Sequence, residues 1–502
     1  MKKEKMIPYK NAYRCYRIGM KHLLLSILGC VFFQTIFAQS GLGLKGEALR
    51  NAVYSAYVID AVNGNVLYKT HQISLVPASV MKIVTTAAAL EILGAEFVFH
   101  TQLGISGKVN AETGLLAGNL ILKGGCDPAF YSEYFPEHYR GTYEAWATAL
   151  SKAGIKSIQG DFIVDLSQIS GSSIPGGWLW EDIGNHYGAG VSALTYSDNY
   201  YKIHFSSPSE SGKPVTINRT DPQIDSLNLT NKVVSSEVNR DLAFIYGAPG
   251  SFSQHVEGPI PGGRSDFVVK ASMPDPARIA ANEFIKILKY SKIEISGKIV
   301  FVSSPTNEAF TLLADKSSPP LRDLIVPLNK ESINLFAEHL LREIGRARKG
   351  SSSLDKSIEA IHEFWIEKGI FLNGYYPSDG SGLSRSNGIC PRTLAEILRY
   401  MHLNANRDVF FASLPVAGQS GTLQSAFKGS KLENNLRAKT GSMTRVRSMA
   451  GIFTNQKGKK IIFAVITNNF DGIQALVGHS IEEFLNEIYS QDSIAAKKPL
   501  VH

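Results

Sequence analysis

Ser79-Val80-Met81-Lys82 places a hydroxyl and an amine three residues apart in an apolar stretch. On a helix, that spacing puts both side chains on one face, one turn apart. A lysine buried among apolar neighbours and close to a second cation loses its charge readily, so Lys82 could take the proton of Ser79 and leave a nucleophile. The motif alone is weak, since a serine cap followed by a solvent-facing lysine reads the same way. A Ser-x-Asn triplet occurs at Ser197-Asp198-Asn199, Ser226-Leu227-Asn228 and Ser332-Ile333-Asn334. The first runs on as an alternating strand from Tyr200 to Phe205, and the second sits in a polar loop. Only the third opens an amphipathic helix, where Ser332 could relay a proton to a leaving amine and Asn334 could hydrogen-bond an amide. Lys439-Thr440-Gly441-Ser442 follows the strand-like Leu436-Arg437-Ala438. There a lysine and two hydroxyls project from a strand end, and Gly441 lets a ligand approach the backbone. That suits Thr440 and Ser442 holding a terminal carboxylate while an edge strand pairs with an extended peptide.

These groups need rigid elements behind them. Ala52 to Lys69 reads as a hairpin turning at Asn63-Gly64. A helix is expected from Ser79 to Leu93, with Gly94 as its stop. Ile333, Phe336, Ala337, Leu340, Leu341 and Ile344 recur on one helical face, ended by Gly345. Ile358–Gly369, Pro391–Leu403 and Ile473–Tyr489 read as further helices, and Arg437–Lys439, Met449–Thr454 and Ile461–Thr467 as strands. Residues 99–305 differ in texture. Short alternating strands such as Leu120-Ile121-Leu122, Phe162-Ile163-Val164 and Phe267-Val268-Val269 lie among Gly- and Pro-rich turns, with helices at Tyr143–Ala153 and Ala277–Tyr290. This reads as an inserted α+β region of one or two subdomains, leaving 40–98 and 306–495 to form one catalytic domain.

The chain has 502 residues, 44% hydrophobic and 19% charged, enough for about three domains of ~150 residues. Its 52 Lys+Arg against 44 Asp+Glu give a net charge of +8, which could signal a nucleic-acid or anionic-membrane partner. The position of the charge decides otherwise. Residues 1–39 carry seven positive charges and one negative, followed by an apolar run from Leu23 to Phe37 and small Ala38. This is the pattern of a secretory signal, too short to span a bilayer. Met20 could be the true start. Leu28-Gly29-Cys30 resembles a lipobox, but the apolar run continues past it, so cleavage after Ala38 is preferred. Removal of residues 1–39 leaves a net charge of +2 and no basic tract beyond Lys457-Gly458-Lys459-Lys460, a solvated turn. No nucleic-acid partner and no stable membrane span are expected. Cys126 and Cys390, 264 positions apart, read as buried free thiols, with a single disulfide as the alternative.

Ser-x-x-Lys, a Ser-x-Asn triplet and Lys-Thr-Gly, in this order, form the motif set of penicillin-binding proteins and class A β-lactamases. The sequence resembles the D-alanyl-D-alanine carboxypeptidase/endopeptidase family of low-molecular-mass penicillin-binding proteins. Further stretches that carry the resemblance are Gly124-Gly125-Cys126-Asp127-Pro128, Gly188 to Leu194, Asp379-Gly380-Ser381-Gly382-Leu383-Ser384-Arg385 and Gly421-Thr422-Leu423. The 250 positions from Lys82 to Ser332 match the large insertion of that family. Cys126, where the family more often has Gly, and Ile333, where it often has Asp, are departures.

The resemblance implies an α+β fold: a transpeptidase-like domain with an antiparallel sheet, helices on both faces and a large α+β insertion. It implies Ser79 as nucleophile, Lys82 as general base, Ser332, Asn334 and Lys439 as catalytic partners, and Thr440, Gly441 and Ser442 at the substrate carboxylate. The amides of Ser79 and Ser442 would form the oxyanion hole. No metal or organic cofactor is implied. Peptidoglycan peptides and β-lactams are the implied partners, and the periplasm or cell envelope the implied location. The Asp379–Arg385 stretch resembles a wall of the family's site, but a plain Gly-rich turn fits equally, so it is not counted as catalytic. Two alternatives stand on the same residues. A β-lactamase or serine esterase would turn β-lactams over quickly, and a non-catalytic peptidoglycan-binding module would form no covalent adduct. Gly41 to Gly46 matches G-x-G-x-x-G without a preceding strand, and His362-Glu363 lacks a second histidine, so neither carries chemistry.

Overall fold

The computed structural model describes residues 42–305 and 309–491. The expected signal at 1–39, with Met20 and Cys30, lies outside the described residues. The catalytic sheet is antiparallel and five-stranded. Its strands are β1 (Val53–Asp60), β2 (Val66–Lys69), β3 (Arg437–Met443), β4 (Val446–Thr454) and β5 (Lys460–Asn468), in the spatial order β3-β4-β5-β1-β2. Alternation along β5 sends Ile462, Ala464 and Ile466 into the main core. The intervening Ile461, Phe463 and Val465 are buried as well, so the strand is covered on both faces. The helix Gln474–Ser490 packs against β4.

Helix α1 (Met81–Leu93) has ten buried residues. It is enclosed on most sides by its neighbours, and Lys82, Thr85 and Thr86 are buried with its apolar residues. Around it pack α2 (Asn334–Lys349), α3 (Leu354–Glu367) and α4 (Pro391–His402). The helix expected from Ser79 begins later. Ala78–Val80 form a 3-10 turn, with Ala78 in the left-handed region at φ 49°, and the α-helix starts at Met81. The expected stop at Gly345 is also displaced. Gly345 lies inside α2, where a side chain would strike Ser351 O and Ser357, and the helix ends at left-handed Gly350. Gly345 therefore serves close packing, not termination.

The region after Phe99 builds two further bodies from four sheets. One body contains a five-stranded sheet, in the order Ile299–Val302, Phe162–Asp165, Leu120–Lys123, His100–Ile105, Thr311–Ser317. Its Leu103, Leu122 and Phe162 join the core that contains α1. Since Thr311–Ser317 pairs with His100–Ile105, this sheet extends past residue 305. The other body has strands Tyr200–Ser207, Arg264–Ser272 and Ser253–Pro261 around a separate core of Tyr201, Ile203, Phe205, Val256 and Ile260. Ser197-Asp198-Asn199 does not extend the strand after it. All three residues are left-handed, forming a tight turn before Tyr200. Cys126 and Cys390 are both buried free thiols.

Candidate active site

The 3-10 turn holds Ser79 half-buried at the mouth of α1 while Lys82, one turn on, is fully buried. Lys82 Nζ lies 3.0 Å from Ser79 Oγ, 2.6 Å from Asn334 Oδ1 and 2.8 Å from Ser381 O. An ammonium fills all three acceptors. A free amine donates only two N–H groups, to Asn334 and Ser381, and its lone pair then faces the Ser79 hydroxyl. Burial favours the free amine, lowering the Lys82 pKa to about 7 against the opposing pull of Asp379 and Glu338.

A second serine–lysine pair completes the cluster. Lys439 Nζ donates to Ser332 Oγ at 2.9 Å and to Thr440 O at 2.8 Å. Lys439 is fully buried, and its pKa is pushed well down by burial, then by Lys82 and Arg447. Lys82 thus helps to discharge Lys439. Ser332 is left-handed, at φ 63°, a conformation that costs a non-glycine residue about 1–3 kcal/mol and gathers at working sites.

Lys439-Thr440-Gly441-Ser442 lie within β3, not at its end, paired with Arg447 to Ala450 on β4. Gly441 faces the turn that carries Ser79, and a methyl group there would come within 2.7 Å of Pro77 O and 2.9 Å of Ser79 N. Only glycine allows this approach. The Thr440 hydroxyl is hydrogen-bonded to Thr422 Oγ1 at 2.7 Å, and the Ser442 side chain is exposed. All eight residues picked from the motifs therefore lie on three elements that meet: α1 with its 3-10 turn, α2 with its entry, and β3.

Sequence reasoning missed the layer beneath. Glu338, four residues after Asn334 on α2, accepts N–H groups from Gly380 and from Ser381, the latter at 2.8 Å. It thereby holds the Ser381 carbonyl that receives Lys82. Asp379 accepts from Gly382 N, Ser384 N, Asn387 Nδ2 and Trp178 Nε1. Burial and then Asp379 raise the Glu338 pKa. The i, i+4 spacing from Asn334 was a readable signal for Glu338, and the Asp379–Arg385 stretch was seen but left undecided.

The polar face of α2 is buried as well. Asn334 Nδ2 donates to Tyr187 O, Ser192 N to His339 Nε2, and Arg342 to Ser172 O and Ser352 O. Segments between Ser172 and Ser192 thus cover the helix and reach the site residue Asn334. His339 is held neutral, its pKa lowered by burial to about 3.

A serine paired with a buried lysine whose charge is disfavoured, beside an antiparallel sheet, defines a serine acyl-transfer enzyme of penicillin-binding-protein fold. The chain belongs to the D-Ala-D-Ala carboxypeptidase 3 (S13) family, whose model matches residues 42–491. A D-alanyl-D-alanine carboxypeptidase of Actinomadura sp. (strain R39) is 27% identical over 442 residues, 86% of this chain and 80% of that protein. The D-alanyl-D-alanine carboxypeptidase DacB of Haemophilus influenzae is 26% identical over 453 residues, 88% of this chain and 91% of that protein. The crystal structure of penicillin-binding protein 4 (dacB) from Haemophilus influenzae superposes with a TM-score of 0.77 at 25% identity, covering 88% of this chain and 97% of that one.

Proposed function

We propose that the chain hydrolyses D-alanyl peptide bonds of peptidoglycan, trimming stem peptides or cutting cross-links, through an acyl-enzyme on Ser79. Family membership gives the enzyme class, a serine-type D-Ala-D-Ala carboxypeptidase. The observation that carries the roles is the Lys82 amine, fully buried and 3.0 Å from Ser79 Oγ. In the forward step Ser79 Oγ bonds to the carbonyl carbon as its proton passes to Lys82 Nζ. The oxyanion forms against the Ser79 and Ser442 amides. Ser332, hydrogen-bonded to Lys439, delivers a proton to the leaving amine as the C–N bond breaks and is reprotonated with the proton that Lys82 took, which returns Lys82 to the free amine. Water then attacks the ester and releases the acid and Ser79. Asn334 orients Lys82, and Thr440 and Ser442 receive the terminal carboxylate, while Gly441 lets the Ser79 turn approach the strand.

A β-lactam presents a strained amide to the same serine, so penicillin should acylate Ser79. The reading also places the protein in the cell envelope after export, without a membrane span of its own. The paths of 46–99 and 318–490 form the catalytic domain, and 100–317 an insertion of two subdomains. Labelling with a fluorescent penicillin tests the centre of this reading. The unmodified protein should carry a covalent label and Ser79→Ala none, and an unlabelled native protein would sink it. Mass analysis of cross-linked muropeptides after incubation separates endopeptidase from carboxypeptidase work.

A further inference from the structure

A cavity of about 580 Å³ opens away from Ser79, between β1, the end of α3 and α4. The site strand β3 is at one edge of the sheet and β1 lies three strand steps away, roughly 14 Å at about 4.8 Å per step. The volume is that of a small-ligand pocket.

Its walls are cationic and aromatic. Lys368, Arg392 and Arg399 line it with a single carboxylate, Glu396. That carboxylate is occupied, accepting from Arg392 Nε at 2.7 Å and from Phe371 N at 2.8 Å. The Arg392 guanidinium lies 4.0 Å from the centre of the Phe371 ring, a cation–π contact, and it meets Glu396 through Nε. Lys368 Nζ lies 5.9 Å from the Tyr400 ring centre. Arg399 donates one N–H to Val62 O, while its Nε is buried with no acceptor. Among the described residues, neither Lys368 nor Arg399 has an ion-pair partner. Glu91, behind the pocket, is taken by Tyr400 Oη, Asn404 and Asn406. Planar guanidinium groups favour carboxylates.

We propose that this pocket is a second binding site, which takes the carboxylates of an acidic peptide. The peptide in question is a stem of the class cleaved at Ser79, a choice that rests on the reading of the active site given above. A polymer bearing many such stems can then be held at two points of one rigid sheet, raising the effective concentration of the second contact.

Calorimetric titration tests the site on penicillin-treated protein, whose Ser79 is blocked. The probe is N-acetyl-L-alanyl-D-glutamate, a doubly anionic stem fragment that lacks a D-Ala-D-Ala end, against the same peptide with its carboxylates amidated and against glutarate. The acid peptide should bind one-to-one and the amide should not. Lys368→Glu, at an exposed position, and Arg399→Gln should each weaken binding by about tenfold. Glutarate binding as tightly as the peptide keeps the carboxylate site but overturns the peptide as its ligand. Equal binding of acid and amide, or no effect of Lys368→Glu, overturns the site. Penicillin labelling of each variant reports its folded fraction. Loss of the label from the unmodified protein is a failure of the Ser79 reading, and the Lys368→Glu comparison still decides the second site.

Discussion

Two of the three Ser-x-Asn triplets of this chain begin in left-handed backbone. In Ser332-Ile333-Asn334 only Ser332 is left-handed, Ile333 is extended, and Asn334 starts α2. In Ser197-Asp198-Asn199 all three residues are left-handed. The first sends Ser332 to Lys439 and Asn334 to Lys82. The second uses its polar groups internally: Asp198 accepts from Ser132 Oγ at 2.6 Å and Glu133 N at 3.0 Å, and Asn199 donates to Gly190 O. The triplet whose middle residue is Asp is the structural one, and the triplet with Ile is at the site. A short polar motif becomes chemistry only where buried lysines are folded against it.

The largest expected break in that comparison is Asn334→Ala against Asn199→Ala. Loss of Asn334 removes the shortest hydrogen bond of Lys82 and should slow acylation by penicillin about 10²–10³-fold. Asn199→Ala should leave the rate of the folded protein unchanged, and equal losses in both would erase the distinction. Ser332→Ala should cost about 10²-fold in hydrolysis of a D-alanyl-D-alanine peptide, with Ser197→Ala as its silent counterpart in steady-state kinetics.

The ranking should invert for stability. Asp198→Ala strands a hydroxyl and an N–H and should cost about 1–3 kcal/mol in urea unfolding, while penicillin still labels the folded fraction at the native rate. A native-like urea midpoint would show the second triplet to be idle in the fold as well.

The smallest expected effect concerns pH. The free Lys82 amine is the active form, so acylation should rise as pH passes about 7 and level off above it. Glu338→Gln removes a charge that supports the Lys82 cation, so the acid limb should move to lower pH, by roughly one unit or less. A merely structural role for Glu338 would lower the plateau without moving the limb.

Some of this was open to reading in the sequence for local reasons. Ser79 and Lys82 are three residues apart, and the helical period alone places them together. The apolar stripe from Ile333 to Ile344 identified α2, and with it the right triplet. The errors were local as well. Gly345 looked like a stop because its neighbour from Ser351 to Ser357 could not be foreseen, and Lys439 to Ser442 looked like a strand end because the pairing partner on β4 lies beyond the turn.

By itself the sequence determined the residue types, their order and the faces they share, because side-chain periodicity is a property of a single element. The chemistry needs contacts across 252 positions, from Lys82 to Asn334, and across 107, from Ser332 to Lys439. Only the tertiary structure decided those. It also decided that both lysines lose all contact with water, that segments between Ser172 and Ser192 close over the polar face of α2, and that Glu338 holds the Ser381 carbonyl. Desolvation depends on everything packed around a group, so no local pattern encodes it.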